Sequence, residues 1–388
     1  PDGKFLYVIT GYHDDTTTHS GYASCAASNN DCSNQIGYIT TFSRDPSDGT
    51  LFWSSTLSLG ESANLQKIKM TTDGNFIYII EYDEGIIYTL SRDSSSGTVT
   101  LIDTIEDCAG STASCETVGF SRFLGGAMDL ALSYDDISLY VVSNIDRKIV
   151  AYSRNETSGM LTYIDAYQPH TRYFCSIIVS RDDRHVYVGS ISEYKKAPSA
   201  GYIHMFERDQ TTSVLTLISV ENDDAAYYGF TSSVLRNGVV DTIQNPYENT
   251  DRLQYPQSLV MDLNDEYIYV ASYVNSKVIA FVRDVDTGVI MYKTSTQNVD
   301  EEFDTVDSSA FTHPTNMVLS GDGGSLYVAS DSSDSIATVN IETVTPFPTT
   351  SPTPLPTADY YPQMDPLSYT NSLTCSVSAC GAIWPDQT

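Results

Sequence analysis

The chain has 388 residues, 50 acidic against 20 basic, and a formal charge of -30. That balance argues against binding nucleic acid or an anionic membrane, since both need basic patches. No apolar run approaches the ~20 residues a spanning helix needs, so the reading is of a chain with no membrane span.

Taken in order, the chain repeats one motif. An aliphatic–Tyr–aliphatic run recurs at Tyr7, Tyr78, Tyr140, Tyr187, Tyr269 and Tyr327. Five residues ahead of each tyrosine stands Asp2, Asp73, Asp135, Asp182, Asn264 or Asp322. A polar turn leading into such a run reads as a hairpin feeding a strand. Downstream comes a β-rich run ending at Arg44-Asp45, Arg92-Asp93, Arg154-Asn155, Arg208-Asp209 or Arg283-Asp284. Gly49, Gly97, Gly159 and Gly288 follow, with Ser213 as the exception. With a short apolar run upstream and another downstream, each unit has four strands, the strand count of a propeller blade.

The predicted class is all-β: a β-propeller of four-stranded blades, with six repeats detected and seven as the second choice. Calling the strands of a blade A to D from the axis outwards, residues 1–10 supply an A–B turn and strand B of blade 1, with no strand A. The chain opens in the middle of a repeat, without a legible signal peptide, so upstream sequence is expected. Blades 2 to 6 fall at about 62–104, 126–166, 174–219, 256–292 and 314–342, and blade 6 shows no strand D. Residues 220–255 read as a long connection with one hairpin around Val239-Val240. Every long insertion (11–36, 105–125, 190–200, 220–255 and 293–313) is a B–C or D–A connection. One face of the disc is therefore plain and the other elaborated, and binding concentrates on loops held by a rigid scaffold.

Three cysteine pairs lie close in sequence: Cys25 with Cys32, Cys108 with Cys115, and Cys375 with Cys380. Their polar loop context favours local disulfides over free thiols, and metal least, because tight Cys-x-x-Cys spacing with histidines is missing. Cys175 is left over, in an apolar strand, and reads as a buried free thiol. Asn155-Glu156-Thr157 is an N-glycosylation sequon in a C–D turn, on the plain face. After the 1–342 propeller comes a 343–357 Pro/Thr tract that favours an extended spacer. Thr345, Thr349, Thr350, Ser351, Thr353 and Thr357 are its candidate O-glycosylation sites. Residues 358–388 form a cysteine-containing tail with Tyr360, Tyr361, Tyr369 and Trp384; such a tail is ordered only where it docks.

The Asp-Gly-x-x-Leu-Tyr-Val and Phe-x-Arg-Asp-x-x-x-Gly motifs resemble those of the YVTN-repeat propellers, which include the seven-bladed 6-phosphogluconolactonase-type lactonases. The resemblance covers residues 1–341 and is specific for fold. It implies a propeller and, as an activity, lactone hydrolysis, but no catalytic residue carries over by motif. A lactonase would need a general base and an oxyanion stabiliser near the central pocket. His170, Arg172 and His313 lie in D–A connections at that level and are the catalytic candidates. The blander reading is scattered surface histidines and a turn-capping His313-Pro314. Acidic clusters (Asp223-Asp224, Asp300-Glu301-Glu302, and Asp331 with Asp334) could hold calcium through oxygen, though no EF-hand spacing supports it and no cofactor is expected. The first functional expectation is an extracellular structural or assembly glycoprotein, a subunit of a cell-surface filament or coat. Its partners would be other copies of itself through 358–388, with glycans or extracellular proteins as further candidates. The alternative is a secreted lactonase-like hydrolase or a glycan- or protein-binding propeller.

Overall fold

The computed structural model describes residues 2–10, 36–61, 63–106, 123–168, 172–192, 201–222, 232–236, 239–243, 253–296 and 312–341. His13, His19, His170, the acidic runs at 223–224 and 300–302, the Pro/Thr tract and the 358–388 tail lie outside the described residues. So do all six cysteines expected to pair: Cys25, Cys32, Cys108, Cys115, Cys375 and Cys380. Among the described residues no disulfide is formed, and the cysteine they contain, Cys175, is a buried free thiol, as its apolar strand suggested. The three disulfides, the O-glycosylation sites and the docking tail therefore remain expectations.

The fold is a six-bladed β-propeller of antiparallel sheets. Blade 1 holds β1 (Phe5–Thr10), β2 (Ile36–Arg44) and β3 (Leu51–Glu61). Blade 2 holds β4 (Leu65–Met70), β5 (Phe76–Glu81), β6 (Ile86–Arg92) and β7 (Val99–Glu106). Blade 3 is β8 (Ala127–Leu132), β9 (Ser138–Ser143), β10 (Lys148–Arg154) and β11 (Leu161–Tyr167). Blade 4 is β12 (Arg172–Val179), β13 (His185–Ser192), β14 (Gly201–Arg208) and β15 (Leu215–Asn222). A hairpin, β16 (Ser232–Arg236) with β17 (Val239–Ile243), stands in the long connection where the sequence suggested one. Blade 5 is β18 (Pro256–Met261), β19 (Tyr267–Ser272), β20 (Lys277–Arg283) and β21 (Ile290–Ser295). Blade 6 is β22 (Pro314–Leu319), β23 (Ser325–Ser330) and β24 (Ser335–Asn340). Blades 1 and 6 have three strands each among the described residues, so a strand A and a strand D go unseen there, as the sequence indicated.

Among the described residues there is no single core. Five clusters of buried side chains each sit between two successive blades. This follows from the strands: with both faces covered, β5 and β9 are buried at every position and read as unbroken apolar runs.

The repeat residues lock each blade to the next. Tyr7, Tyr78, Tyr140 and Tyr187 donate their hydroxyls to the carbonyls of Gly97 (2.8 Å), Gly159 (2.6 Å), Ser213 (2.9 Å) and Gly288 (2.9 Å) in the following blade. The same hydroxyls accept Nε–H of that blade's arginine: Arg92 (2.6 Å), Arg154 (3.1 Å), Arg208 (3.1 Å) and Arg283 (2.8 Å). The guanidinium then reaches back to the leading aspartate of the preceding blade, as in Arg92–Asp2 (2.7 Å), Arg208–Asp135 (3.0 Å) and Arg283–Asp182 (2.8 Å). A buried arginine is tolerable only with such partners. Between blades 5 and 6 the arginine position is Ile341, which bonds the A–B turn through its amide and packs into the cluster around Tyr269.

The Arg-Asp pairs and Arg154-Asn155 are structural. Asp45, Asp93, Asp209 and Asp284 cap their own turns through Oδ1 to amides two residues on, and Asn155 does the same. The turn glycines have φ near +70° to +80°. A Cβ at Gly97 or Gly159 would collide with the ring of Phe5 or Phe76 from the preceding blade. Where Ser213 replaces the glycine, Ser138 replaces the phenylalanine, and their hydroxyls meet at 2.5 Å.

A–B and C–D turns share one face, since Arg92 in the latter bonds the Gly74 carbonyl in the former at 3.0 Å. Aspartates in left-handed conformation tie these A–B turns together. Asp136 takes the amide of Thr72, Asp183 those of Tyr134 and Asp135, and Asp265 those of Arg181 and Asp182.

Candidate functional site at the axial mouth

The opposite face opens where each innermost strand begins. Directly ahead of β4, β8, β18 and β22 come Asn64, Gly126, Tyr255 and His313, and in β12 the same register, one residue before Phe174, is held by Tyr173. The carbonyls of Asn64, Gly126, Tyr255 and His313 accept from the same B–C turn position of their blades: Tyr82, Asn144, Tyr273 and Asp331. These positions are therefore equivalent and ring the mouth. Gly126 has φ +70°, and Tyr255 (+58°) and His313 (+56°) adopt the same left-handed conformation with full side chains. Bulky residues rarely do so, and such outliers concentrate at functional sites.

The two strained residues belong to one cluster across blades 5 and 6. The Tyr273 ring stacks on His313 at 4.6 Å and 17°, and Tyr255 lies tilted against Tyr273 at 5.7 Å. Tyr273 donates its hydroxyl to Asp331 Oδ2 at 3.0 Å. Its pKa is pushed up to about 12 by burial and by the Asp331 charge, so it stays a donor throughout the physiological range. The Ser332 hydroxyl donates to Asp331 Oδ1 at 2.9 Å. That uses its one proton, so at 2.6 Å from His313 Nδ1 it can only accept. A neutral His313 then carries its proton on Nδ1, and Nε2 holds the lone pair. Asp331, Ser332 and His313 form a carboxylate–hydroxyl–imidazole relay, with the imidazole about a quarter exposed (27 %). This is the arrangement of a base oriented by a second group. On the same face Arg147 lies over the Tyr173 ring at 4.7 Å and donates to its hydroxyl at 3.1 Å.

Of the catalytic candidates, only His313 can be read in full, and it is at the mouth. Arg172 is described in its backbone alone, opposite Ser192 at the start of β12. His170 is outside the described residues. Among the other histidines, His185 and His204 are buried between blades. Burial and the neighbouring Arg283 push His185 down to about 4, so it remains neutral and accepts from that arginine through Nδ1 at 2.7 Å. Burial drives the Cys175 pKa up, which removes this thiol as a nucleophile. Among the described residues no three metal-ligating side chains converge. Asp331, a calcium candidate in the sequence, instead accepts from Tyr273 and Ser332. Tyr255, Tyr273 and Ser332 escaped the sequence reading. Tyr255 could have been found as the non-repeating residue directly ahead of strand A, whereas Tyr273 and Ser332 sit in B–C turns and carry no such signal.

No family model matches the chain, and no curated protein matches it in sequence. Solved structures do resemble it. The periplasmic gluconolactonase of Pseudomonas aeruginosa superposes with a TM-score of 0.57 at 15% identity, covering 89% of this chain and 80% of that one. A protein from Lactobacillus plantarum gives 0.53 at 13% identity, over 79% and 74%. The hydrazine synthase of Kuenenia stuttgartiensis gives 0.50 at 13% identity, over 79% and 80%. These likenesses establish the propeller. They do not establish the chemistry, since one fold carries differently named enzymes.

Proposed function

We propose that the chain is an exported lactonase-like hydrolase that opens a cyclic sugar ester at the axial mouth. The observation that carries this is the Asp331–Ser332–His313 relay, which leaves His313 Nε2 as an oriented base. In the reaction, Nε2 takes a proton from water as its oxygen adds to the lactone carbonyl. The ring C–O bond then breaks, and the imidazolium returns the proton to the departing ring oxygen, yielding a hydroxy acid. The Tyr255 and Tyr273 rings offer apolar surface against the C–H face of a sugar-derived ring. The structural likeness to a periplasmic gluconolactonase and the sequon at Asn155 agree with an exported chain.

The test is pH-stat titration of acid released from aldonolactones and, for contrast, from open-chain esters. Turnover of lactones above the spontaneous rate, with open-chain esters slower, is expected. Equal rates with and without protein would refute the reading. The assembly function rests on residues 358–388 and stays a proposal: a chain ending at Thr357 should remain folded but lose self-association.

A further inference from the structure

The base of the proposed hydrolase is held from the neighbouring blade. In blades 2, 3, 5 and 6 the B–C turn ends on a left-handed residue: Gly85 (φ +66°), Arg147 (+57°), Ser276 (+54°) and Asp334 (+47°). At two junctions the side chain of that residue meets the mouth residue of the next blade. Arg147 of blade 3 donates to the Tyr173 hydroxyl of blade 4 at 3.1 Å. Ser276 of blade 5 accepts the His313 amide of blade 6 through Oγ at 3.2 Å. The junction of blades 2 and 3 shows the simpler form of this contact. There the mouth residue is Gly126, and its amide goes to a main-chain oxygen, the Tyr82 carbonyl, at 3.0 Å. The equivalent carbonyl in blade 5, that of Tyr273, accepts the Ser276 amide at 3.3 Å instead, and a side chain serves the His313 amide.

His313 keeps a full side chain at φ +56°. Such a conformation persists only where the surroundings over-determine it. Three contacts do so here. The amide donates to Ser276, the carbonyl accepts the Asp331 amide at 3.3 Å, and the imidazole stacks on Tyr273. Two of the three come from one four-residue turn, 273–276. That turn is itself tied down, because the Tyr273 and Val274 amides donate to the Tyr255 and Gln254 carbonyls at 3.0 and 3.3 Å. The direction of an imidazole follows from its Cα–Cβ bond and hence from the backbone beneath it. A misplacement of about 1 Å in a catalytic group can cost about 100-fold in rate. We infer that Ser276 is a positioning residue, fixing the backbone from which His313 directs Nε2 at the lactone. The inference rests on the lactonase-like reading of that histidine.

The test is Ser276→Gly in the full chain, with Ser276→Asn as the rescue. Glycine stands at this place in blade 2 and is at ease at positive φ, so Ser276→Gly removes the hydroxyl without adding backbone strain. Asparagine tolerates the same conformation and brings back an acceptor oxygen. A merely structural serine predicts unchanged kinetics in Ser276→Gly, with stability equal or higher. Positioning predicts a kcat for gluconolactone about 10-fold lower at nearly constant KM, largely recovered in Ser276→Asn, with an unfolding midpoint no lower than wild type. Hydrogen exchange of the His313 amide should quicken about 10-fold in Ser276→Gly and return towards wild type in Ser276→Asn. An active wild type with an equally active Ser276→Gly variant would overturn this role alone. Unchanged exchange of the His313 amide would overturn the contact on which it depends. A wild type that opens no lactone would overturn the hydrolase reading, and this role with it.

Discussion

The two faces of the disc use the same strands differently. On the plain face nearly every position obeys the repeat. Arginine, tyrosine, aspartate and glycine recur, and from blade 1 to blade 5 the tyrosines and arginines make the same inter-blade bonds at all four junctions. On the mouth face the equivalent position changes from blade to blade, through Asn64, Gly126, Tyr173, Tyr255 and His313. Where the position is glycine, the left-handed backbone is relaxed; where it is Tyr255 or His313, the chain keeps the same conformation despite the strain. Uniformity marks residues that hold the ring together. Departure from it marks residues with another task.

Substitutions can break this contrast. The largest loss of stability should come from Arg283→Ala, which removes partners of Tyr187, Asp182 and His185 at once in a buried setting. About 3–5 kcal/mol is expected, measured by chemical denaturation. Arg184, half-exposed, donates to the Val285 and Asp286 carbonyls and lies 3.8 Å from the Asp286 carboxylate; as the exposed control, Arg184→Ala should cost about 1 kcal/mol or less. Equal losses would remove the structural role assigned to the lock. Next comes Gly159→Ala, which combines a positive φ with a collision against Phe76 and should cost about 2–3 kcal/mol. Gly49→Ala meets no such ring in the described structure and should cost only about 1 kcal/mol.

A pH-dependent effect follows in size. His185 titrates at about 4 in the folded chain against its ordinary 6.5, through burial and then Arg283. The unfolded chain therefore binds the extra proton first, and stability falls as pH drops from about 6.5 to about 4. Solvent screening should hold the loss from this group to about 2 kcal/mol. His185→Phe installs the residue found at Phe5 and Phe76. It should flatten that part of the stability profile, and an unchanged profile would show that His185 is not its source. Smallest of all, His313→Ala should shift stability by about 0.5 kcal/mol or less, because the mouth residues lie outside the inter-blade locks.

Much of the plain face was legible in the sequence because a period exposes it. The six tyrosines align by eye, and the Arg-Asp pairs and turn glycines recur with them. What the period could not show was that tyrosine and arginine bond each other, since Tyr187 and Arg283 are 96 residues apart and belong to different repeats. The leading aspartates looked like turn residues and also serve as ion-pair partners. At the mouth, His313 was named as a candidate but also read as a turn cap. Its companions Tyr273 and Ser332 come from B–C turns whose residues follow no repeat. Only folding brings blade 5's Tyr273 ring onto blade 6's His313.

Whether His313 acts as the base of a hydrolase is tested most directly by kcat/KM for a gluconolactone in the His313→Ala variant. Wild-type turnover above the spontaneous rate is expected, with a loss of at least about 100-fold in the variant and an unchanged unfolding midpoint. Wild-type protein that fails to accelerate ring opening, or a variant that turns over as fast as wild type, would contradict that role.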